Sequence, residues 1–536
     1  MLRRFLLLGL LLLAGLVPAG TAFAKTVPAD APFRVVILDH MAGWQLRQFA
    51  RRGAIGLLVP GAGPTTNRRQ ALAQLVRGRQ ENAHLGGVPE GQPLLSANLA
   101  TGTPSHARTI IVTLPPRTLT GGTVPNDKRY YIVVLGGGFH GLLVSKTTRI
   151  PGLVSIVDIA PTALGHLRGS LTSTPSTHAV ASLKQLNAQI HANNRLKLAV
   201  LIVLACFAAL LAAVRPRAAL TAVPAALLAS IALGGLHVTN EVTILTVLIV
   251  ATVAGGLALA RLCRTDGMLL LLFLGTILVH LYLLAKRPDW VALTPLGPTQ
   301  NSRFWGIGNQ LETLLLAPLL AGAAIAARRF GVLGFSAFGL LGLFLMTDNR
   351  FGSDGGGAIV LGVALAFLGA RTLRVGVRGF VTILLAAALV VLKVVSSNLS
   401  AAGPDHFRSA FGSGLGGLWA VAKNRVPLSY MPAIDNWTTV LPLAVWFVVS
   451  FAIALYVGRR RSTRDLVLTL GVAIVTSLLV NDSAMYELTG GVVVLGALVR
   501  FAPAPAVPVT VRSLVRTLSP AVAAVRDRRS RSPLPR

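Results

Sequence analysis

Cysteine is nearly absent from this chain, and acidic residues are few. Two cysteines occur in 536 residues. Cys206 lies inside an apolar run and Cys263 at the end of another, so neither a disulfide framework nor a cysteine metal site is available to the segment before them. Charge is scarce as well. Only 13% of residues are charged, and a mean hydropathy of +0.68 excludes an ordinary soluble protein. Acids number 18 against 50 Lys and Arg, for a formal net charge of +32. That excess does not indicate a nucleic-acid partner. No lysine-rich patch with interleaved aromatics is present, and the arginines of the second half sit in short loops between apolar runs, where they set membrane orientation.

The chain divides by composition. Residues 1–24 read as a signal peptide or signal anchor: Arg3-Arg4, an apolar stretch over 5–17, and Ala22-Phe-Ala24 as a cleavage site. Residues 25–195 read as a soluble, extracytoplasmic α/β domain. Short runs rich in Val and Ile at 33–38, 54–59, 109–114, 130–135 and 153–159 are bounded by Gly and Pro, as buried strands are. Helical patterns lie between them, and this alternation predicts a mostly parallel sheet. Residues 196–501 read as an all-α polytopic bundle. Apolar runs near 196–214, 218–236, 242–260, 267–285, 311–327, 331–346, 356–370, 379–395, 438–457, 465–480 and 488–501 suggest about eleven spans. Residues 502–536 read as a disordered basic cytoplasmic tail.

Loop charge predicts the orientation. The loops expected inside carry Arg215, Arg217, Arg261, Arg264, Arg328, Arg329, Arg371, Arg374, Arg378 and Arg459 to Arg461. The domain is then outside, the C-terminus is in the cytoplasm, and the protein is a multi-pass component of the plasma (cytoplasmic) membrane with the lipid bilayer as its first partner.

Three features of the α/β domain have the form of chemistry-bearing motifs. Asp39-His40 ends the first strand, a position from which a carboxylate reaches a site. Gly61-Ala-Gly-Pro-Thr-Thr66 precedes a helix and would put Thr65 or Thr66 at an anion-binding helix terminus, although Thr66 or Asn67 also suits a plain N-cap. Gly136-Gly-Gly-Phe-His140-Gly141 follows a strand.

In the order of Val35-Val-Ile-Leu-Asp39, Arg52-Gly-Ala-Ile-Gly56, Pro64-Thr-Thr66 and Val157-Asp-Ile-Ala-Pro-Thr-Ala163, this domain resembles the alkaline phosphatase/sulfatase superfamily. The resemblance spans about 150 residues of the chain. It implies Asp39 as a metal ligand and Thr65 or Thr66 as nucleophile, with a divalent metal as cofactor if that site is intact. The family's later Asp-His-Gly is replaced by Phe139-His140-Gly141, leaving His140 as a doubtful second ligand. With six acids in residues 25–195, the domain is expected to be a degenerate pseudoenzyme.

Most acids after residue 195 map to the outer side, with Asp266, Asp465 and Asp527 inside, and three outer loops concentrate polar residues. Gln300-Asn-Ser-Arg-Phe-Trp-Gly-Ile-Gly-Asn309 precedes Glu312, which lies one turn from Asn309. Thr347-Asp-Asn-Arg-Phe-Gly-Ser-Asp-Gly-Gly-Gly357 follows one hairpin later, and Asn481-Asp-Ser483 with Glu487 closes the bundle. This set resembles bacterial polytopic membrane proteins that carry a phosphatase-like domain, which implies an architecture and no activity. Ionisable groups near a span suggest function. The expected catalytic residues are Asp348, Asp354, Glu312 and Asp482, and the expected substrate-binding residues are Arg303, Asn309, Arg350, Asn481, Trp305, Lys423 and Arg425. The competing reading makes these groups interface salt bridges and aromatic-belt residues. The functional expectation is an envelope protein acting on or assisting a lipid-linked glycan or polymer, alone or with envelope assembly proteins. The alternatives are a transporter and a membrane-tethered phosphatase/sulfatase-like hydrolase.

Overall fold

The computed structural model describes residues 33–61, 63, 65–78, 108–116, 122–165, 171–301, 303–373, 430–481 and 483–501. The expected signal at 1–24, the span at 379–395, the tail at 502–536, and Asp482, Lys423 and Arg425 lie outside these described residues.

The N-terminal region is α/β. Its elements in order are β1 (Arg34–Leu38), α1 (Gly43–Ala50), β2 (Gly53–Val59), β3 (Thr65–Thr66), α2 (Arg68–Arg77), β4 (Thr109–Thr113), β5 (Val124–Pro125), β6 (Tyr130–Leu135), β7 (Gly141–Val144), β8 (Leu153–Ser155), α3 (Ile159–Ala163) and β9 (Thr172–Thr174). The main sheet runs β1-β4-β6-β2-β7-β9, and β8 continues beside β2 beyond β7. The sheet is mixed, where a mostly parallel one was expected. β1 and β4 are parallel, and so are β2 with β7 and β2 with β8, but β6 runs antiparallel between β4 and β2, as β9 does beside β7. A fully buried strand is apolar in either direction, so its residues do not report which way it runs.

Side chains alternate across the sheet with period two. One face carries Ala54, Leu58, Ile110, Val112, Ile132 and Val134 and is covered by α2 and α3. The other carries Ile55, Leu57, Val59, Ile111 and Val133. Leu46 of α1 covers it, with Leu183, Leu186 and Ile190 of the next helix and Leu293 and Phe304 from a loop of the helical region. The two regions therefore share one apolar core. Burying a side chain such as Phe304 there stabilises the docking by roughly 1.5–3 kcal/mol.

That next helix, α4 (Ala179–Val214), begins against the sheet and continues as the first long apolar helix. The expected boundary at 195/196 falls in its middle. The remainder is α5 (Pro216–Gly235), α6 (Glu241–Leu262), α7 (Asp266–Lys286), α8 (Pro288–Ala292), α9 (Asn309–Thr347), α10 (Gly355–Leu373), α11 (Met431–Asp435), α12 (Trp437–Val457), α13 (Arg461–Val480) and α14 (Ala484–Leu498). Among the described residues eight helices are long and apolar enough to cross a membrane; α14 is shorter. The chain is thus an integral membrane protein of the multi-pass kind. Eight rather than about eleven arises in part from α9, which joins two expected runs, and from the run at 379–395, which is not described. α9 bends at Gly331, whose φ of 65° and ψ of −149° are non-helical. Gly322 abuts Phe338, and Gly342 lies against Leu319. These contacts make α9 a hairpin whose two arms run antiparallel.

Candidate functional site: a buried polar cluster under the α/β domain

The start of α9, the start of α10, the end of α13 and the start of α14 meet on the face of the bundle that touches the α/β domain. Their polar residues converge there. Glu312, in the first turn of α9, is 1% exposed. Its Oε2 accepts a hydrogen bond from Asn481 Nδ2 at 3.0 Å, and the same amide nitrogen reaches Ser477 Oγ at 2.9 Å. Asn481 is the C-cap of α13, where a helix has unpaired carbonyls and the chain turns. Asp354, 4% exposed, stands just before α10 and accepts from the Gly357 amide at 3.2 Å. Arg303 spans to it, with Nη1 3.4 Å from Asp354 Oδ2 and Nη2 donating to the Ser353 carbonyl at 2.6 Å. Glu487, fully buried in the first turn of α14, lies with Asp354 and Arg303 within electrostatic reach of Glu312.

Glycine makes the convergence fit. A Cβ on Gly357 would stand 2.9 Å from Asp354 Oδ2 and 3.0 Å from the Glu312 carboxyl carbon, and one on Gly356 would strike Asn481 Oδ1. The two positions have no room for a side chain.

The expected residues of the helical region do not all come together. Glu312, Asp354, Asn481 and Arg303 come together in this cluster. Asp348 and Arg350 instead form an outer pair: Arg350 donates through Nε and Nη2 at 2.9 Å each, and its side chain is exposed. Asn309 opens α9 one turn before Glu312 and is half-buried. Trp305 belongs to the domain contact. Its Nε1 donates to the Thr147 carbonyl at 3.1 Å, and the Arg149 guanidinium stacks 3.3 Å from its ring centroid. Arg149 also donates to the Asn349 carbonyl at 3.1 Å.

The residues expected of a phosphatase-like site are not gathered together. Asp39 is exposed and held by Arg68 Nη2 at 2.6 Å. Thr66 is buried, with no hydrogen-bond partner for its Oγ1 among the described residues. Asn67 is the cap of α2, accepting from the Gln70 amide at 2.8 Å, and Thr65 pairs with Pro125 in the small β3–β5 ladder. His140 and Asp39 lie at opposite ends of the strands. Leu38 is opposite Thr113, whereas Leu135, which leads into the loop of His140, is opposite Thr109. A five-residue strand separates these ends by about 16 Å, because β6 is antiparallel and its following loop emerges at the far end. The structure thus does not bring Asp39 and His140 together. Among the described residues no group of three or more His, Cys, Asp or Glu is placed to hold a metal ion.

Several side chains that build the site were not singled out from the sequence. Asn126 Nδ2 binds the Gly61 and Gly63 carbonyls at 2.9 Å and the Asn301 carbonyl at 3.3 Å, and Arg129 Nη2 donates to the Gln300 carbonyl at 2.8 Å. The glycine loop after β2 is thereby pinned to the loop that carries Arg303. Burial brings the Arg129 guanidinium down to about 10, still cationic at neutral pH. From the other side, Gln189, Asn193 and Lys197 of α4 line the loop before α9. Gln189 and Asn193 both donate to the Leu293 carbonyl, and Lys197, 1% exposed, donates to the Gly297 and Pro298 carbonyls. Irregular backbone inside a bundle persists only where its carbonyls find donors. The legible signal was the spacing of four between these three residues, which puts them on one face of α4.

The opposite face of the bundle is arginine-rich. Arg217 bonds the Arg264 carbonyl and lies 3.7 Å from Asp266; Arg371 pairs with Asp465 at 2.7 Å; Arg500 donates to the Ala213 carbonyl at 2.9 Å; and Arg329 lies against Gly267. Comparison with protein-family models, curated proteins and solved structures found no match to this chain.

Proposed function

We propose that this is a multi-pass protein of the plasma membrane whose centre is the cluster of Glu312, Asp354, Arg303, Asn481 and Glu487. On this reading it acts on or assists a lipid-linked glycan or another envelope polymer. The observation that carries it is the burial of three carboxylates and an amide at the helix ends, with a half-buried guanidinium beside them, directly beneath a docked α/β domain. A lipid-linked substrate keeps its chain in the bilayer and its polar head at the level where these helices end. Arginines on the far face support an extracytoplasmic domain and a cytoplasmic C-terminus. The α/β domain serves as a non-catalytic, phosphatase-like roof, a role consistent with the Asp39–Arg68 pair. A transporter is the second reading, favoured by Glu312 and Glu487 lying within apolar helices.

The test is complementation of a deletion strain, scored by growth and by extraction of lipid-linked intermediates. Glu312→Gln and Asp354→Asn are expected to lose function and accumulate intermediates, while Thr66→Ala behaves as wild type. Loss confined to Thr66→Ala would replace this reading with the tethered hydrolase. Loss in the cluster variants without accumulated intermediates would favour transport.

A further inference from the structure

We propose that the cluster binds one small monovalent cation, a proton or a sodium ion, at the unpartnered oxygen of Glu312. The inference rests on the cluster being the working site and goes on to name what it takes up. Arg303 is the one guanidinium facing Glu312 among the described residues, and it is already engaged by Asp354 and the Ser353 carbonyl. Asn481 satisfies Glu312 Oε2, and Oε1 has no hydrogen-bond partner among the described residues. A carboxylate with 1% exposure and an idle oxygen is costly to leave ionised and alone. The charges around it make this worse. Asp354, from the segment before α10, and Glu487, from α14, both repel a negative Glu312, and α13 contributes only the neutral Asn481 and Ser477.

The geometry defines where the positive charge sits. Glu312 and Asp354 both approach the bare Cα of Gly357, and Asn481 Oδ1 approaches Gly356. Carboxylates from two segments thus close on Gly357, and the amide oxygen of a third lies against the neighbouring glycine at the start of α10. A bare proton needs only the two carboxylates. An alkali ion would add the amide oxygen, since its ligands are hard oxygens of this kind. Arg303, with a quarter of its side chain exposed, is the member of the cluster that reaches solvent. Cation exchange is expected to proceed from its side.

The experiment is thermal unfolding of the purified full-length protein in lipid nanodiscs, in sodium chloride against choline chloride at equal ionic strength, across pH 5.5 to 8.5. It is run in an Asp158→Asn background, because Asp158 in the α/β domain titrates in the same range. Ligand linkage raises the midpoint in proportion to occupancy. A sodium-specific rise of a few degrees identifies the alkali ion. A rise on acidification that is equal in sodium and choline identifies the proton. Glu312→Gln is expected to flatten whichever response is seen, and Asp354→Asn to weaken it. If Glu312→Gln does not fold, infrared difference spectra of the parent protein decide between the outcomes through carboxyl bands that shift with sodium or with pH. A midpoint unaffected by either cation, or a response unchanged in both variants, overturns the proposal. The complementation test is independent: a cation response without loss of function in the cluster variants would sink the functional reading and leave the cation site standing.

Discussion

At the scale of single residues, buried polar groups carry most of the information. Asp158 is one outside the bundle. It is fully buried and accepts hydrogen bonds from Ser145 Oγ, Thr147 Oγ1 and the Ser155 amide. Burial pushes its carboxyl up to about 6 from an ordinary 3.8, against those hydrogen bonds, which favour the charged form. Between these values the folded chain holds a proton that the unfolded chain has released. The contribution to stability is therefore complete below about pH 4 and is lost as the pH rises through about 6. Thermal unfolding followed over pH 4 to 7 is expected to show the α/β domain destabilising upward through that window, with the slope removed in Asp158→Asn. Asp158 sits in a short segment that the sequence marks only as a helix start. Its burial depends on Ser145 and Thr147, which arrive from the loop after β7. Lys197 makes the same point in the bundle, since its partners lie 100 and 101 residues further along the chain.

At the scale of elements, helix ends and a hairpin place the site. Glu312, Asp354, Asn481 and Glu487 are each within a turn of a helix terminus, where backbone and side chains turn away from lipid. Their helices reach one level because the antiparallel arms of α9 start and finish on the same face. Gly331 permits that reversal. Its φ of 65° with ψ of −149° is a conformation essentially confined to glycine. Gly331→Ala is expected to destabilise the protein by about 1–3 kcal/mol, lowering the unfolding midpoint while leaving the α/β sheet intact by far-UV circular dichroism. A variant with an unchanged midpoint would show that the turn tolerates a side chain and that packing of Gly322 on Phe338 alone holds the arms. Arg303, Asp354, Glu312 and Asn481 were readable as candidates because each interrupts or borders an apolar run. Nothing in those runs separates them from Asp348 and Arg350, which form a pair at the surface instead.

At the scale of the whole molecule, the α/β domain and the bundle are joined through α4, through the apolar contact of Phe304 with the sheet, and through Arg149, Asn126 and Arg129. Polar cluster and arginine face occupy opposite ends of the helices. Labelling with a membrane-impermeant maleimide tests which end lies outside. In a background with Cys206→Ser and Cys263→Ser, cysteines at His40 and Asp435 are expected to label in intact cells, and a cysteine at Arg459 only after the membrane is opened. The opposite pattern would invert the orientation and place the cluster on the cytoplasmic side.

Composition and hydropathy were enough to determine an α/β region followed by a membrane-spanning helical region, because a bilayer requires long apolar helices and a buried strand requires short apolar runs wherever they occur. They also marked the polar loops, since a charge beside lipid has few explanations. The direction of β6, the hairpin of α9, and the separation of Glu312 from Asp348 and of Asp39 from His140 came from the tertiary structure alone. Each depends on which distant segment lies alongside, and burial makes residues alike in type whichever neighbour they meet.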